Sequence, residues 1–263
     1  MNNEKIIPGN DPETKTEVNK TETKNQLNIG FLTFPRQDQI DFTGPFEVLS
    51  RMPDSIMHII SKSTAPFRDV KGLIITPEVS IAEAPELDML VVSGGLGQQD
   101  LMHDEEILGF IRRQFESGKF VFSICTGALL CGAAGILRGK QATTHWASWK
   151  LLEFYGAIPV KSRFVIDGNY ISTAGITAGI DGALKVAAIL RGVEAAKEIQ
   201  LDIEYAPDPP FHSGTPDTAS WKTVAAFFEQ YGGNKESREK EALEFAKKFR
   251  ISVAGGAETA KES

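Results

Sequence analysis

Short apolar runs alternate with amphipathic stretches from residue 27 onward. The runs "LNIGFL", "IMHIIS", "LDMLVV" and "KFVFSI" are rich in β-branched and aromatic residues and predict strands. Helical spacing follows in "DEEILGFIRRQFESG", where one face carries Ile107, Phe110, Ile111 and Phe115, and Gly118 is a stop signal. Strands that alternate with helices predict an α/β fold, a doubly wound and mainly parallel sheet with helices on both faces.

The remaining segments extend this alternation. The stretch "GPFEVLSRM" predicts a helix with Pro45 in its first turn. The stretch "PFRDVKGLIITPEVSI" predicts an excursion of short β segments, "TGALLCGAAGIL" and "TAGIDGALKVAAILRG" predict helices, and "RFVIDGNYIST" predicts a hairpin. We interpret "QATTHW" and "SWKLLEFYG" as one more strand and helix, and we find no internal repeat.

The two ends of the chain differ from the middle in composition. Residues 1–26 are rich in Asn, Lys, Glu and Thr and predict a disordered polar tail. Residues 27–232 predict a single α/β catalytic domain. Residues 233–263 predict a charged helix and a polar tail, which we interpret as a solvated or docking segment and not as a catalytic one.

Charge and hydropathy narrow the class of partner. The net charge of −7 and the absence of a Lys/Arg-rich run argue against nucleic acid and anionic membranes, so we expect a small-molecule ligand. No run reaches the ~18 apolar residues of a membrane span, and the N-terminus has no apolar signal-peptide core. The sequence therefore predicts a cytoplasmic protein.

The chain has two cysteines, Cys125 and Cys131, and we expect both to be free thiols. Six positions on one helix separate them by about 9 Å, beyond the ~7 Å reach of a disulfide. The histidines at positions 58, 103 and 212 show no metal-ligand spacing, so no metal site is expected. The stretch "SGGLGQ" lacks the full dinucleotide-binding pattern.

Cys125 stands between the strand "KFVFSI" and a predicted helix that begins at Thr126-Gly127. This order is typical of a nucleophile elbow, in which Gly127 lets the helix pack close to the strand. The helix N-terminus would lower the pKa of the thiol, so we expect Cys125 to be partly ionised near neutral pH. The alternative is a buried, unreactive cysteine, which is how we interpret Cys131 in the apolar helix.

Several other residues fall at predicted strand ends. Asp41 precedes the expected cap residues Thr43 and Gly44, and is either a catalytic carboxyl or a loop-tying residue. Gly94 and Gly95 follow a strand and either expose N–H groups to a developing negative charge or form an ordinary turn.

His145, in "ATTHW", also falls at a predicted strand end. It either pairs with the thiolate or is an ordinary hydrogen-bonded histidine, and the second interpretation is favoured.

The stretches "SICTGALLCGAAGILRGKQATTHW", "ISTAGITAGIDGAL" and "DFTGPFEVL" resemble the ThiJ/PfpI superfamily over residues 27–215. This resemblance implies a flavodoxin-like fold shared with class I glutamine amidotransferases. Asp41 with Cys125-Thr126, and the stretch "IQLDIEYAPDPPFHSGTPDTA", are similar to the isonitrile (isocyanide) hydratases. The peptidase-like and glyoxalase-like branches have a histidine after the cysteine or a glutamate in place of Asp41, so Thr126 and Asp41 weaken those assignments. The sensor half of AraC-type regulators is also similar, but few residues follow "TPDTA" to form a helix-turn-helix region.

The resemblance implies a lyase that hydrates an isocyanide to an N-substituted formamide without a cofactor. Cys125 would form a covalent thioimidate, with Asp41 as general acid and base. Thr126, Gly94 and Gly95 would stabilise the thiolate and the developing charge, and His145 and the Gly175-Ile176 segment would support the site. A homodimer is also implied. A redox-sensing or stress-protective protein and a non-enzymatic ligand sensor stay open as alternatives.

Overall fold

The structure is a computed structural model and describes residues 26–253. This part of the chain contains eleven strands and six α-helices. The strands are β1 (Leu27–Leu32), β2 (Ser55–Ser61), β3 (Phe67–Arg68), β4 (Ile74–Ile75), β5 (Val79–Ser80), β6 (Met89–Val92), β7 (Phe120–Ile124), β8 (Gln141–Ala142), β9 (Ile158–Pro159), β10 (Phe164–Asp167) and β11 (Tyr170–Thr173). The helices are α1 (Gln39–Leu49), α2 (Glu105–Glu116), α3 (Gly127–Ala133), α4 (Ala178–Arg191), α5 (Val193–Asp202) and α6 (Trp221–Phe249), with 3-10 segments at Leu96–Leu101 and Trp146–Tyr155. Except for Gln26, the predicted disordered tail lies outside the described residues.

A seven-stranded sheet in the order β10-β11-β7-β6-β1-β2-β5 forms the centre of the fold. All neighbours in it are parallel except β10 and β11, which form the predicted hairpin. Five of the parallel strands, β1, β2, β6, β7 and β11, are numbers 1 to 5 when counted along the chain. In the sheet they lie in the order 2-1-3-4-5, which is the flavodoxin-like order. The ligand crevice of this fold opens where the strand order reverses, here between β1 and β6. The predicted doubly wound, mainly parallel α/β fold is confirmed.

Two apolar layers cover the sheet, one on each face. Helices α1, α4 and α5 pack on the first face through a cluster that includes Phe31, Phe122 and Val186. Helices α2 and α3 and the second 3-10 segment pack on the other face, where the cluster includes Ile111 and Leu129. Both faces of each central strand are therefore buried, which explains why these strands are apolar throughout.

Helix α1 begins earlier than the sequence predicts. The side chain of Asp38 accepts a hydrogen bond of 3.2 Å from the Ile40 N–H and caps the helix. Pro45 consequently lies inside the helix and not in its first turn, and Thr43 and Gly44 are helical residues and not caps. Asp41 therefore lies in the first turn of a helix and not on a loop.

Two further segments differ from the prediction. The stretch around His145 gives only the two-residue strand β8, outside the main sheet, and a 3-10 segment. The reason is that Thr143 and Thr144 bond to Ser172 and to Cys125 at the sheet's carboxyl end instead of extending a strand. Helix α6 begins at Trp221, not at residue 233, and its side chains Ala242 and Ala246 are buried against the domain.

Candidate active site

Cys125 occupies the bend between β7 and α3. Its φ of 53° lies in the left-handed region, which is strained for a residue with a side chain. Two hydrogen bonds hold this backbone: the Cys125 N–H donates to the Ala174 carbonyl at 3.0 Å, and the Thr144 hydroxyl donates to the Cys125 carbonyl at 2.6 Å. The predicted strand-to-helix turn is confirmed.

Gly127 allows α3 to lie against the sheet. A Cβ atom at this position would be 2.2 Å from the Val92 carbonyl oxygen, a backbone atom of β6. Any side chain would push the first turn of α3 away from the strand. The predicted role of Gly127 in close packing is confirmed.

The Asp41 carboxyl is fully buried next to the Cys125 thiol. Its Oδ2 atom accepts a hydrogen bond of 2.9 Å from the Gly94 N–H, and its side chain interacts with the thiol. Burial raises the pKa of Asp41 well above its ordinary value, and the nearby negative charge of Asp38 raises this pKa further. The carboxyl therefore retains a proton more strongly than an exposed aspartate.

The predicted low pKa of Cys125 is wrong. Burial and the adjacent Asp41 charge raise the pKa of the thiol well above its ordinary value. The N–H groups of Thr126 and Ile176 and the guanidinium of Arg238 act in the opposite direction. The prediction assumed an exposed bend, whereas the Cys125 side chain is buried, with 6% of its surface accessible. Two buried acids in contact titrate as a pair, so the proton of Cys125 and that of Asp41 are coupled.

Gly94 and Gly95 hold the neighbouring site residues together. The Gly94 N–H donates to Asp41, and the Gly95 N–H donates to the Thr126 hydroxyl oxygen at 3.1 Å. Because each has an acceptor, these two N–H groups are not the free donors that the sequence suggested. A Cβ atom on Gly94 would lie 2.5 Å from the Thr126 nitrogen and 2.9 Å from the Asp41 Oδ2 atom, so a glycine is needed where the two residues meet.

His145 lies in the same site as a neutral ring. Its Nδ1 atom accepts a hydrogen bond of 3.3 Å from the Ala147 N–H and caps the 3-10 segment. Burial, with a smaller effect of Arg238, lowers the pKa of His145 to about 4. A Cβ atom on Gly175 would be 3.0 Å from the imidazole, and the Ile176 N–H interacts with Cys125, so the segment Gly175-Ile176 contacts both residues.

A cavity of about 190 Å³ opens onto Cys125 and Thr126. Helix α6 forms one of its walls, with Phe227, Phe228, Tyr231, Asn234, Lys235 and Arg238 among the lining residues. The Phe227 ring lies 5.9 Å from the His145 ring and 4.7 Å from the Trp146 ring. The C-terminal helix is therefore part of the candidate site, which corrects its interpretation as a segment apart from the chemistry.

Sequence reasoning missed the α6 residues, although a signal was present. Phe227, Tyr231, Asn234 and Arg238 recur at spacings of four, three and four residues and so share one helical face. The charges of this segment conceal this periodicity, because charged residues stand between the four positions.

Cys131 is fully buried in α3 and interacts with the Tyr170 hydroxyl. Both cysteines are free, as predicted. In residues 26–253 no group of three or more His, Cys, Asp or Glu side chains is arranged to hold a metal ion. No helix in the same range is long and apolar enough to cross a membrane.

Comparisons with known proteins agree on one family. The model of the DJ-1/PfpI family matches residues 28–189. An isonitrile hydratase of Pseudomonas putida is 51% identical over 193 residues, which are 73% of this chain and 85% of that protein. Protein DJ-1alpha of Drosophila melanogaster is 31% identical over 177 residues, 65% of this chain and 81% of that protein. A solved ThiJ/PfpI family protein from Pseudomonas syringae superposes with a TM-score of 0.81 at 33% identity, covering 89% of this chain and 98% of that one.

Proposed function

The chain belongs to the DJ-1/PfpI family, and from this premise we propose that it is an isonitrile hydratase, which converts an isocyanide and water to an N-substituted formamide. The observation that carries the proposal is the 51% identity to the Pseudomonas putida isonitrile hydratase over 73% of the chain. The cavity at Cys125 supports it, because it places a thiol, a buried carboxyl and an apolar wall at one point.

The first half of the proposed reaction forms a covalent intermediate. The sulfur of Cys125 adds to the terminal carbon of R–N≡C as its proton passes to Asp41. Asp41 then gives this proton to the same carbon, and the product is the thioimidate R–N=CH–S–Cys125. The raised pKa of Asp41 supports this step, since a carboxyl that binds a proton firmly can accept it from a thiol.

The second half releases the product. Asp41, now a carboxylate, accepts a proton from water as the hydroxide adds to the thioimidate carbon, and then gives this proton to the nitrogen to form R–NH–CH(OH)–S–Cys125. The carbon–sulfur bond then breaks and releases R–NH–CHO, and the hydroxyl proton returns to the pair of Cys125 and Asp41. The N–H groups of Thr126 and Ile176 hold the negative charge on the departing sulfur. Atoms balance with water as the only co-reactant, so the proposed lyase reaction needs no cofactor.

Incubation with cyclohexyl isocyanide tests the proposal, with formamide measured by chromatography. We expect turnover by the unmodified protein, none by Cys125→Ala, and turnover by Cys131→Ala, the matched control with the other thiol removed. Full turnover by Cys125→Ala would exclude the covalent mechanism.

Absence of formamide from alkyl and aromatic isocyanides would exclude the function. Oxidation of Cys125 by mild peroxide would then support the redox-sensing alternative. If neither formamide formation nor oxidation of Cys125 were observed, the ligand-sensor alternative would be the one that remains.

The assembly and location are proposed with the function. We propose a homodimer, which light scattering of the purified full chain tests directly. The cytoplasmic location stays a prediction from the sequence.

A further inference from the structure

A half-buried cation lines the same cavity as the candidate nucleophile. Arg238 comes from α6, and its guanidinium lines the cavity together with Cys125. One Nη2–H donates to the Gly95 carbonyl at 3.3 Å. The Nε atom is buried and has no hydrogen-bond partner among residues 26–253.

Within the described part of the chain, no carboxylate forms an ion pair with the Arg238 guanidinium, whereas Lys235 on the same helix pairs with Glu239. A buried charge without a counter-charge is costly unless an anion forms near it. Two groups that can become anions interact electrostatically with Arg238, the Cys125 sulfur and the Tyr155 hydroxyl, and of these two only Cys125 lines the cavity.

The other charged groups around the sulfur do not supply this positive charge. The titratable and charged groups that line the cavity with Cys125 or contact it are Asp38, Asp41, Lys71, His145, Tyr231, Lys235 and Arg238. The imidazole is neutral, because its pKa is about 4. Lys235 is exposed and pairs with Glu239 at 3.5 Å, and Lys71 is exposed and interacts with Asp38.

We propose that Arg238 is a positioning residue that stabilises the negative charge on the Cys125 sulfur from the opposite wall of the cavity. An arginine suits this role because it keeps its proton at all working pH values. It stabilises the thiolate without competing for the proton, so proton transfer remains with Asp41. The inference rests on the proposed function for Cys125 being the reacting group.

The rate of Cys125 alkylation by iodoacetamide, measured from pH 7 to the highest pH at which the protein stays folded, tests the inference without an isocyanide. The background is Cys131→Ala, so that a single thiol reports. We expect Arg238→Met, which keeps the length and removes the charge, to move the midpoint upward by about one pH unit or more. At a pH below both midpoints the alkylation rate then falls about tenfold or more.

Two further variants separate charge from shape. Arg238→Lys keeps the charge and should keep the midpoint within about half a unit of the unmodified protein. Lys240→Met removes an exposed charge from the same helix and should leave the midpoint unchanged. If Arg238→Met does not fold, Arg238→Gln takes its place.

An unchanged midpoint in the folded uncharged variant overturns the inference. Equal shifts in the lysine and methionine variants also overturn it, because the effect would then come from packing. The proposed function fails separately, by absence of formamide, so the two results are distinguishable.

Discussion

Replacement of Gly127 by alanine tests the packing that places the nucleophile. The new Cβ atom would lie 2.2 Å from the Val92 carbonyl oxygen, whereas carbon and oxygen atoms normally stay about 3.3 Å apart. Helix α3 must therefore retreat by roughly 1 Å, because the obstacle is backbone in a central strand. All seven residues of α3 are buried, so we expect the free energy of unfolding to fall by about 3 kcal/mol, near the upper end of the range for overpacked cores.

Thermal unfolding and turnover measure the two consequences. A loss of about 3 kcal/mol lowers the Tm of a domain of this size by roughly 6–12 °C. A shift of about 1 Å between Cys125 and Asp41 lowers kcat/KM for cyclohexyl isocyanide by about 100-fold. Gly233→Ala is the control, because no neighbouring atom lies within 4 Å of the carbon added at this position of α6. We expect this substitution to raise the free energy of unfolding by about 0.5–1 kcal/mol. A Gly127→Ala protein that melts within about 2 °C of the unmodified one, with full turnover, would refute the reasoning.

Three further substitutions test the buried titratable groups. Because the folded pKa of Asp41 is raised, its stabilising effect is present below the unfolded pKa of about 4 and is lost as the pH rises through the folded pKa. In urea unfolding, the free energy of unfolding of Asp41→Asn should not fall in this way as the pH rises. An identical dependence of this free energy on pH in both proteins would contradict the prediction. His145 has a folded pKa of about 4, so its contribution is present above about pH 6.5 and is lost as the pH falls toward 4. His145→Gln should remove this acid-side fall, and an NMR midpoint for His145 near 6.5 would show that the ring is not desolvated. Cys131→Ala should lower the free energy of unfolding by about 1 kcal/mol and leave the alkylation rate of Cys125 unchanged, since the Cys131 thiol contributes core packing and a contact with the Tyr170 hydroxyl. A changed alkylation rate would show that Cys131 acts on the site.

The central sheet and the turn at Cys125 are predictable because their signals are local. Each parallel strand is apolar on both faces, and the strand-Cys-Thr-Gly-helix order specifies the bend within a few residues. The hairpin of β10 and β11 was equally local, with Gly168 at a φ of 65° in its turn.

The start of α1 shows where local rules compete. Proline favours the first turn of a helix, and this preference placed the start near Pro45. The Asp38 cap moves the start to Gln39, roughly one and a half turns earlier, and the proline then costs the helix one hydrogen bond in its interior. Asp41 is the residue most affected, because the shift moves it from a loop into a rigid helix whose first turn aims it at Cys125.

The contribution of α6 was not predictable from any single motif. The surface on which a helix packs is determined by contacts between distant parts of the chain. Here α6 packs on the second 3-10 segment, where Trp146 contacts Phe227. The periodicity of α6 can identify one face of the helix but not the element that this face contacts. The sequence therefore contains Arg238 without any indication that it lies beside Cys125.

The same helix explains why the expected pKa of Cys125 is wrong and how the site remains suited to chemistry. By forming a wall over the bend, α6 contributes to the removal of water that raises the pKa of the thiol. It also brings the guanidinium of Arg238, which favours the thiolate. Under the proposed mechanism, the charge that forms when the proton of this buried thiol passes to Asp41 meets the Arg238 guanidinium and the N–H groups of Thr126 and Ile176. We therefore expect the reactivity of Cys125 to be controlled by proton transfer within the pair, and not by free ionisation at a helix end.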